Sequence, residues 1–273
     1  MVQIIRDRDL TPYWGLKRAT EPGFQRSLTT WVGGPEGYVN SNLKQSAKSQ
    51  RCAVGLMRMA VGNRQPGVHV HSITEIYVIL KGEVESFDGV GRTHRAGYLD
   101  CLYIPAGVPH GVRAVGKEDL ELIWIHDGIE RFDVSVYLEG EGPFPSEREV
   151  ELVRYADLRA AGDAAGSVSW VGGPGGMVNH DPGLAVPNPF ISVGLSRIAP
   201  ASTHGGHADA GASVCVVLNG HAVAAIDGGR ADLGVLDAVY ATPADRSPID
   251  NLSGTTLTML WVDEVAGVDE VAG

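Results

Sequence analysis

Apolar residues along this chain fall in short runs rather than on one stripe of long helices. Residues 75–80, 99–104, 120–125, 214–218 and 257–262 are rich in β-branched and aromatic side chains, and Gly, Pro, Asn or Asp separate them. Runs of about four to eight residues with regular turn punctuation predict strands. They favour an antiparallel sandwich or small barrel over parallel βαβ units. One stretch, 149–161, has the pattern of a helix.

The pattern occurs twice. Trp31-Val-Gly-Gly-Pro-Glu-Gly-Tyr-Val-Asn40 returns 139 residues later as Trp170-Val-Gly-Gly-Pro-Gly-Gly-Met-Val-Asn179. Val54-Gly-Leu-Met-Arg58 returns as Val193-Gly-Leu-Ser-Arg197, Val78-Ile-Leu-Lys-Gly82 as Val216-Val-Leu-Asn-Gly220, and Gly97-Tyr-Leu-Asp100 as Gly234-Val-Leu-Asp237. Trp124 corresponds to Trp261, an offset of 137, so the spacing drifts by only two residues. This is a duplication. Val153-Arg-Tyr-Ala-Asp-Leu158 also echoes Ile5-Arg-Asp-Arg-Asp-Leu10, and Gly140, Gly142, Pro143 and Pro145 cluster near the seam. The expected division is 1–145 and 146–273, with the predicted helix opening the second copy. Residues 264–273 read as an acidic tail. The doubled Trp-Val-Gly-Gly-Pro segment lacks a following helix or Lys-Ser/Thr pair, so it is read as a structural arm added to a neighbouring barrel.

Composition narrows the partners. The 273 residues include 36 Gly and 15 Pro, as expected of tight turns. Acidic residues outnumber basic ones 33 to 22, giving a formal charge of −11. Such a surface repels phosphate backbones and anionic lipid, which argues against nucleic-acid or membrane partners. Arg6, Asp7, Arg8 and Asp9 stand where a signal peptide needs apolar residues, and no apolar run suits a spanning helix. Three cysteines, without metal-type spacing, read as reduced thiols. A cytoplasmic protein is expected.

The richest chemistry lies in Gly67-Val-His69-Val-His71-Ser-Ile-Thr-Glu75-Ile-Tyr77, which runs on to Gly82, and in Gly97 to Pro105-Ala-Gly107-Val-Pro-His110. Residues two apart on a strand share a face, so His69 and His71 project together, with Glu75 and Tyr77 following if the pleat continues. Three neutral imidazoles and a carboxylate suit a divalent first-row metal, leaving positions for water or substrate. About one net positive charge would then favour an anionic, oxygen-donating ligand. A His-x-His pair alone is commonly incidental. The ordered set, with Glu four residues on, Gly seven beyond it, then Pro-x-Gly-x-x-His, is not.

These two segments resemble the two motifs of the cupin superfamily, and the doubled chain resembles a bicupin. The Gly-to-Pro spacing of the second motif is slightly long, and the asparagine often found after its histidine is absent. The resemblance implies an all-β chain of two tandem double-stranded β-helix barrels with little helix. It implies metal ligands His69, His71, Glu75 and His110, holding one divalent transition metal per chain, Fe2+ favoured and Mn2+ or Ni2+ open. It says little of the reaction.

In the second copy, anchoring Gly82 on Gly220 sets His207 opposite His69, Asp209 opposite His71 and Ser213 opposite Glu75, while His110 falls on Ser247 or Pro248. A serine is a poor ligand and the fourth donor is missing, so this barrel is expected to have kept its frame and lost the metal, although His204, His207 and Asp209 could form a weak site. Repeat partners also sort the other candidates. Arg58 can pair with a substrate carboxylate, but Arg197 repeats it; Trp124 is repeated by Trp261. Both read as structural. His126 has Asp263 as its counterpart and can serve as a base beside the metal, although a place near a strand end is often exposed. Tyr77 can donate to a metal-bound ligand or simply fill the barrel.

Glu75, Tyr77 and His126 are therefore the candidate catalytic residues. The favoured reading, by analogy with bicupins that keep one site, is an oxidoreductase: a dioxygenase cleaving a C–C bond in a small hydroxylated, keto or carboxylated substrate. The alternatives are a redox-neutral isomerase, lyase or decarboxylase working through an enolate, and a non-catalytic small-molecule container. Barrels of this kind commonly pair by exposed sheet faces, which leaves a homo-oligomer open.

Overall fold

In the computed structural model, the described residues are 2–34, 39–129, 135–140, 142–161, 166–172, 182–205, 210–245 and 248–265. They are almost all strand, in two compact units: Leu10–Tyr155, and Met1–Asp9 with Ala156–Gly273. None of their helices is long and apolar enough to cross a membrane.

In the unit Leu10–Tyr155, a seven-stranded sheet runs in the order Glu151–Val153, Cys101–Ile104, Glu75–Lys81, Leu120–Asp127, Cys52–Met59, Arg26–Gly33 and Ala47–Lys48. A five-stranded sheet has the order Val136–Tyr137, His69–Val70, His110–Val115, Glu83–Asp88 and Thr93–Ala96. Apolar side chains from both sheets form one core: Met57, Tyr77, Ile79, Leu122 and Trp124 from the larger, Val84, Val112 and Ala114 from the smaller. Burial of the strand Glu83–Asp88 alternates residue by residue, as a strand with one face on a core must. The second unit repeats the plan with seven- and four-stranded sheets around Val217, Ala224, Leu233, Leu257 and Met259.

Three features differ from the sequence reading. The helix spans only Tyr155–Ala161, because Glu151–Val153 instead forms ladder hydrogen bonds with Cys101–Ile104. Residues 1–9 pack with the second unit, where Gln3–Ile5 pairs with Ala238–Ala241. The described start of the segment read as an arm, Trp31 to Gly33, belongs to a strand of its own unit: Arg26–Gly33 pairs with Cys52–Met59, and Trp31 is fully buried. Residues 35–38 and 173–180 of that doubled motif, and 266–273 of the acidic tail, lie outside the described residues.

Candidate metal centre

Strand register delivers the site. His110 opens its strand directly opposite His69 in the smaller sheet, and Glu75 opens its strand directly opposite His126 in the larger one. The donors thus come from both sheets and meet inside the barrel. One ligand atom from each of His69, His71, Glu75 and His110 lies within 4.8 Å of every other, and all four residues are buried. The rings of His69 and His110 are 4.3 Å apart between centroids, and those of His69 and His71 4.9 Å.

The two oxygens of Glu75 have different partners. Oε2 lies 2.8 Å from His110 Nε2 and 3.5 Å from His71 Nε2. Oε1 lies 2.9 Å from His126 Nε2. His126 is buried, not exposed at a strand end, and its bond to Oε1 turns Oε2 toward the three histidines. Tyr77 sits on the face of Glu75, fully buried, beside the carboxylate and Gln65. Arg58, by contrast, is half-exposed and 3.4 Å from Glu121 across the ladder. Trp124 lies on Gly55, as Trp261 lies on Gly194 in the other unit. The packing roles expected of Arg58 and Trp124 account for these contacts.

Electrostatics suit a cation. Burial first, then the neighbouring His110 and His71, push the His69 imidazole well below its usual range, so it is neutral. Burial alone would raise the Glu75 carboxyl. The adjacent His71 and His126, with hydrogen bonds from His110 and His126, overcome that and hold it well below the carboxylate range. Burial and the Glu75 charge keep Tyr77 a phenol well above its ordinary value.

The residues fit a metal. His110 Nδ1 lies 2.8 Å from the Val108 carbonyl, which can only accept, so Nδ1 carries a proton and Nε2 is the nitrogen turned to the cluster. That nitrogen stands 2.8 Å from Glu75 Oε2, a contact that needs a positive charge in it, either a second proton on the ring or a metal ion between the two. Among the described residues, buried His69 Nδ1 has no hydrogen-bond partner. A cavity of about 160 Å³ adjoins the cluster, lined by His69, His71, Glu75, Tyr77 and His126, with apolar walls that include Leu28 and Met57.

The lining also includes a residue that the motifs passed over, Arg26. It stands well before the first histidine, outside any recognised spacing; the signal was its lack of a counterpart, since the repeat places Ala165 there.

The second unit differs at the same positions. Ser213 Oγ donates to Asp263 Oδ1 at 2.6 Å, in the register that Glu75 and His126 occupy in the first. His207, Asp209 and Ser247 lie outside the described residues.

Residues 55–126 match the cupin domain family model. Over 93 residues, 34% of this chain, the sequence is 32% identical to dimethylsulfoniopropionate lyase DddQ of Ruegeria pomeroyi; the match spans 46% of that protein. The structure is similar over 97% of the chain to the bacterial pirin YhhW from Escherichia coli, solved in complex with nickel(II), covering 99% of that chain at a TM-score of 0.66 and 14% identity. It is likewise similar, over 97% of this chain and 84% of the other, to a salicylate 1,2-dioxygenase from Pseudaminobacter salicylatoxidans, at a TM-score of 0.65 and 13% identity. The chain has the cupin fold in its two-barrel form, and the barrel holding the four donors carries the cupin sequence signature.

Proposed function

We propose that this protein is a metal-dependent enzyme whose N-terminal barrel holds one divalent transition metal on His69, His71, Glu75 and His110 and acts on a small, oxygen-chelating organic anion. The reaction is redox-neutral proton transfer, of the lyase, isomerase or decarboxylase kind. The observation that carries this reading is the pairing of the donor cluster with groups able to move protons, His126 and Tyr77, on the wall of one cavity. The sequence match to a lyase over 93 residues supports it, whereas likeness at 13–14% identity speaks to fold alone.

When bound, the metal supplies Lewis acidity toward a substrate oxygen. The chain supplies the rest. His126, oriented by the 2.9 Å hydrogen bond between its Nε2 and Glu75 Oε1, takes a proton from substrate carbon and returns it to the product or leaving group. Tyr77, kept protonated by burial and by Glu75, donates its O–H to negative charge developing on a substrate oxygen. Leu28, Met57 and Trp124 make that wall apolar.

The same donor set suits Fe2+, which keeps a C–C-cleaving dioxygenase as the second reading. Protein reconstituted separately with Fe2+, Mn2+ and Ni2+ should be offered dimethylsulfoniopropionate, hydroxy-keto acids, catechols and diketones, with product mass and oxygen uptake read together. Turnover without oxygen uptake is the expected result. Uptake matching turnover establishes the dioxygenase instead, and failure to retain any of the three metals leaves a container.

A further inference from the structure

A guanidinium buried in a protein ordinarily has a carboxylate beside it, because an unpaired charge is costly to remove from water. Arg26 has none among the described residues. It is 1% exposed, and its hydrogen bonds go to neutral oxygens: Nη1 to the Phe24 carbonyl at 3.1 Å, Nη2 to the Lys17 carbonyl at 3.0 Å and to the Tyr137 hydroxyl at 3.2 Å. These bonds use three of the five N–H donors of a guanidinium. The buried Nε has no partner among the described residues. Arg26 lines the cavity that adjoins the donor cluster, and Lys17 lines it too, with Nζ 4.7 Å from the centre of the Tyr137 ring. Glu75 is the one acid among the described residues of that lining.

Tyr137 joins the two ends of this cavity. Its hydroxyl meets Arg26, and its ring stacks on His69 at 5.0 Å between centroids, with 28° between planes. One tyrosine thus separates the guanidinium from the donor cluster.

The repeat supplies an independent criterion. Residues that only build the barrel occur in both copies, as Arg58 and Arg197 or Trp124 and Trp261 do. Arg26 corresponds to Ala165, just as Glu75 corresponds to Ser213, Tyr77 to Cys215 and His126 to Asp263. The arginine is missing from the copy that lacks Glu75 and His126.

We propose that Arg26 anchors a second anionic group of the substrate, so that the site selects small organic dianions: an oxygen-chelating end meets the donor cluster and a carboxylate end meets the guanidinium. This rests on the proposed reading of the cavity as a substrate site. The unused Nε–H can take one carboxylate oxygen, and the neighbouring Nη2–H, released from the Tyr137 hydroxyl at 3.2 Å, completes a bidentate pair that the point charge of a lysine does not offer. A cavity of about 160 Å³ is below the roughly 300 Å³ at which drug-sized pockets begin, in keeping with a short diacid.

The test compares near-isosteric probes on nickel-loaded protein by calorimetric titration: malate against 2-hydroxybutyrate, and 2-oxoglutarate against 2-oxopentanoate. In each pair the chelating end is shared and only the far carboxylate differs. Wild-type protein should bind the diacid of at least one pair tenfold or more tighter than its partner. R26Q should bring both members of each pair within about twofold while keeping its nickel, and R26K should fall between. No preference at either chain length in the wild type, or a preference unchanged in R26Q, would overturn the proposal. Because Arg26 also ties two loop carbonyls, R26Q can lose its fold; the wild-type pairs and R26K then decide. Should the protein retain no metal, the metal reading fails by itself, and the same pairs titrated into metal-free protein score the anchor separately.

Discussion

As a neutral ring, His110 cannot satisfy both of its neighbours. Its Nδ1 proton is committed to the Val108 carbonyl, so the 2.8 Å contact of Nε2 with Glu75 Oε2 needs a second proton or a metal ion between them. His69 is placed differently. Buried against two other histidines, it resists protonation, and that resistance has a thermodynamic consequence. An unfolded His69 takes up a proton below about 6.5, whereas the folded ring does not, so the unfolded state binds more protons there and stability falls with falling pH. Glu75 acts in a lower window, since its depressed carboxyl contributes stability above its ordinary 4.5 and loses it only as pH drops through the lower folded value. The thermal midpoint of metal-free protein should therefore decline from pH 7 to pH 5, and H69N should flatten that slope. Parallel profiles for wild type and H69N would show that His69 is not held neutral.

The strands and turns carry the duplication down to single hydrogen bonds. In the first unit, Asp100 accepts from the Gly97 and Tyr155 amides and from Arg154 Nη1; in the second, Asp237 accepts from the Gly234 and Asp7 amides and from Arg6 Nη1. Leu99 and Leu236 both take the left-handed backbone, with φ of 62° and 68°. The echo between residues 5–10 and 153–158 thus marks a strand docked on each seven-stranded sheet. Trp124 covers Gly55, where an added Cβ would lie 2.2 Å from the Thr29 carbonyl and 2.6 Å from the indole. G55A should cost at least about 1–3 kcal/mol as overpacking, read as a thermal midpoint lowered by several degrees. An unchanged midpoint would mean that the indole and backbone yield freely.

That geometry also explains what the sequence made legible. The short punctuated runs gave the strands, and period-two spacing gave His69, His71 and Glu75, because both are local rules. The strand Glu151–Val153 was hidden, since its partner is Cys101–Ile104, far along the chain, and local propensity there favours helix. His126 looked exposable from its place near a strand end; only its register opposite Glu75 buries it. Arg26 carries no motif at all, and its meaning comes from a cavity wall.

Two copies of one barrel in a single chain make an internal control for the metal. The first pairs Glu75 with His126 across its ladder, and the second pairs Ser213 with Asp263 at the same register, closed by a 2.6 Å hydrogen bond. A neutral hydroxyl donating to a carboxylate satisfies both groups without a cation, whereas Glu75 among imidazoles needs added protons or a metal ion to balance the cluster. Elemental analysis of the intact protein should accordingly find close to one transition metal per chain, and H110A should bring it near zero. S213A should leave that stoichiometry intact and cost only the net worth of one hydrogen bond, about 1 kcal/mol, in thermal stability. If H110A retained half of a two-metal stoichiometry, or S213A released metal, the second barrel would be a binding site in its own right and the loss of Glu75 from it would need another explanation.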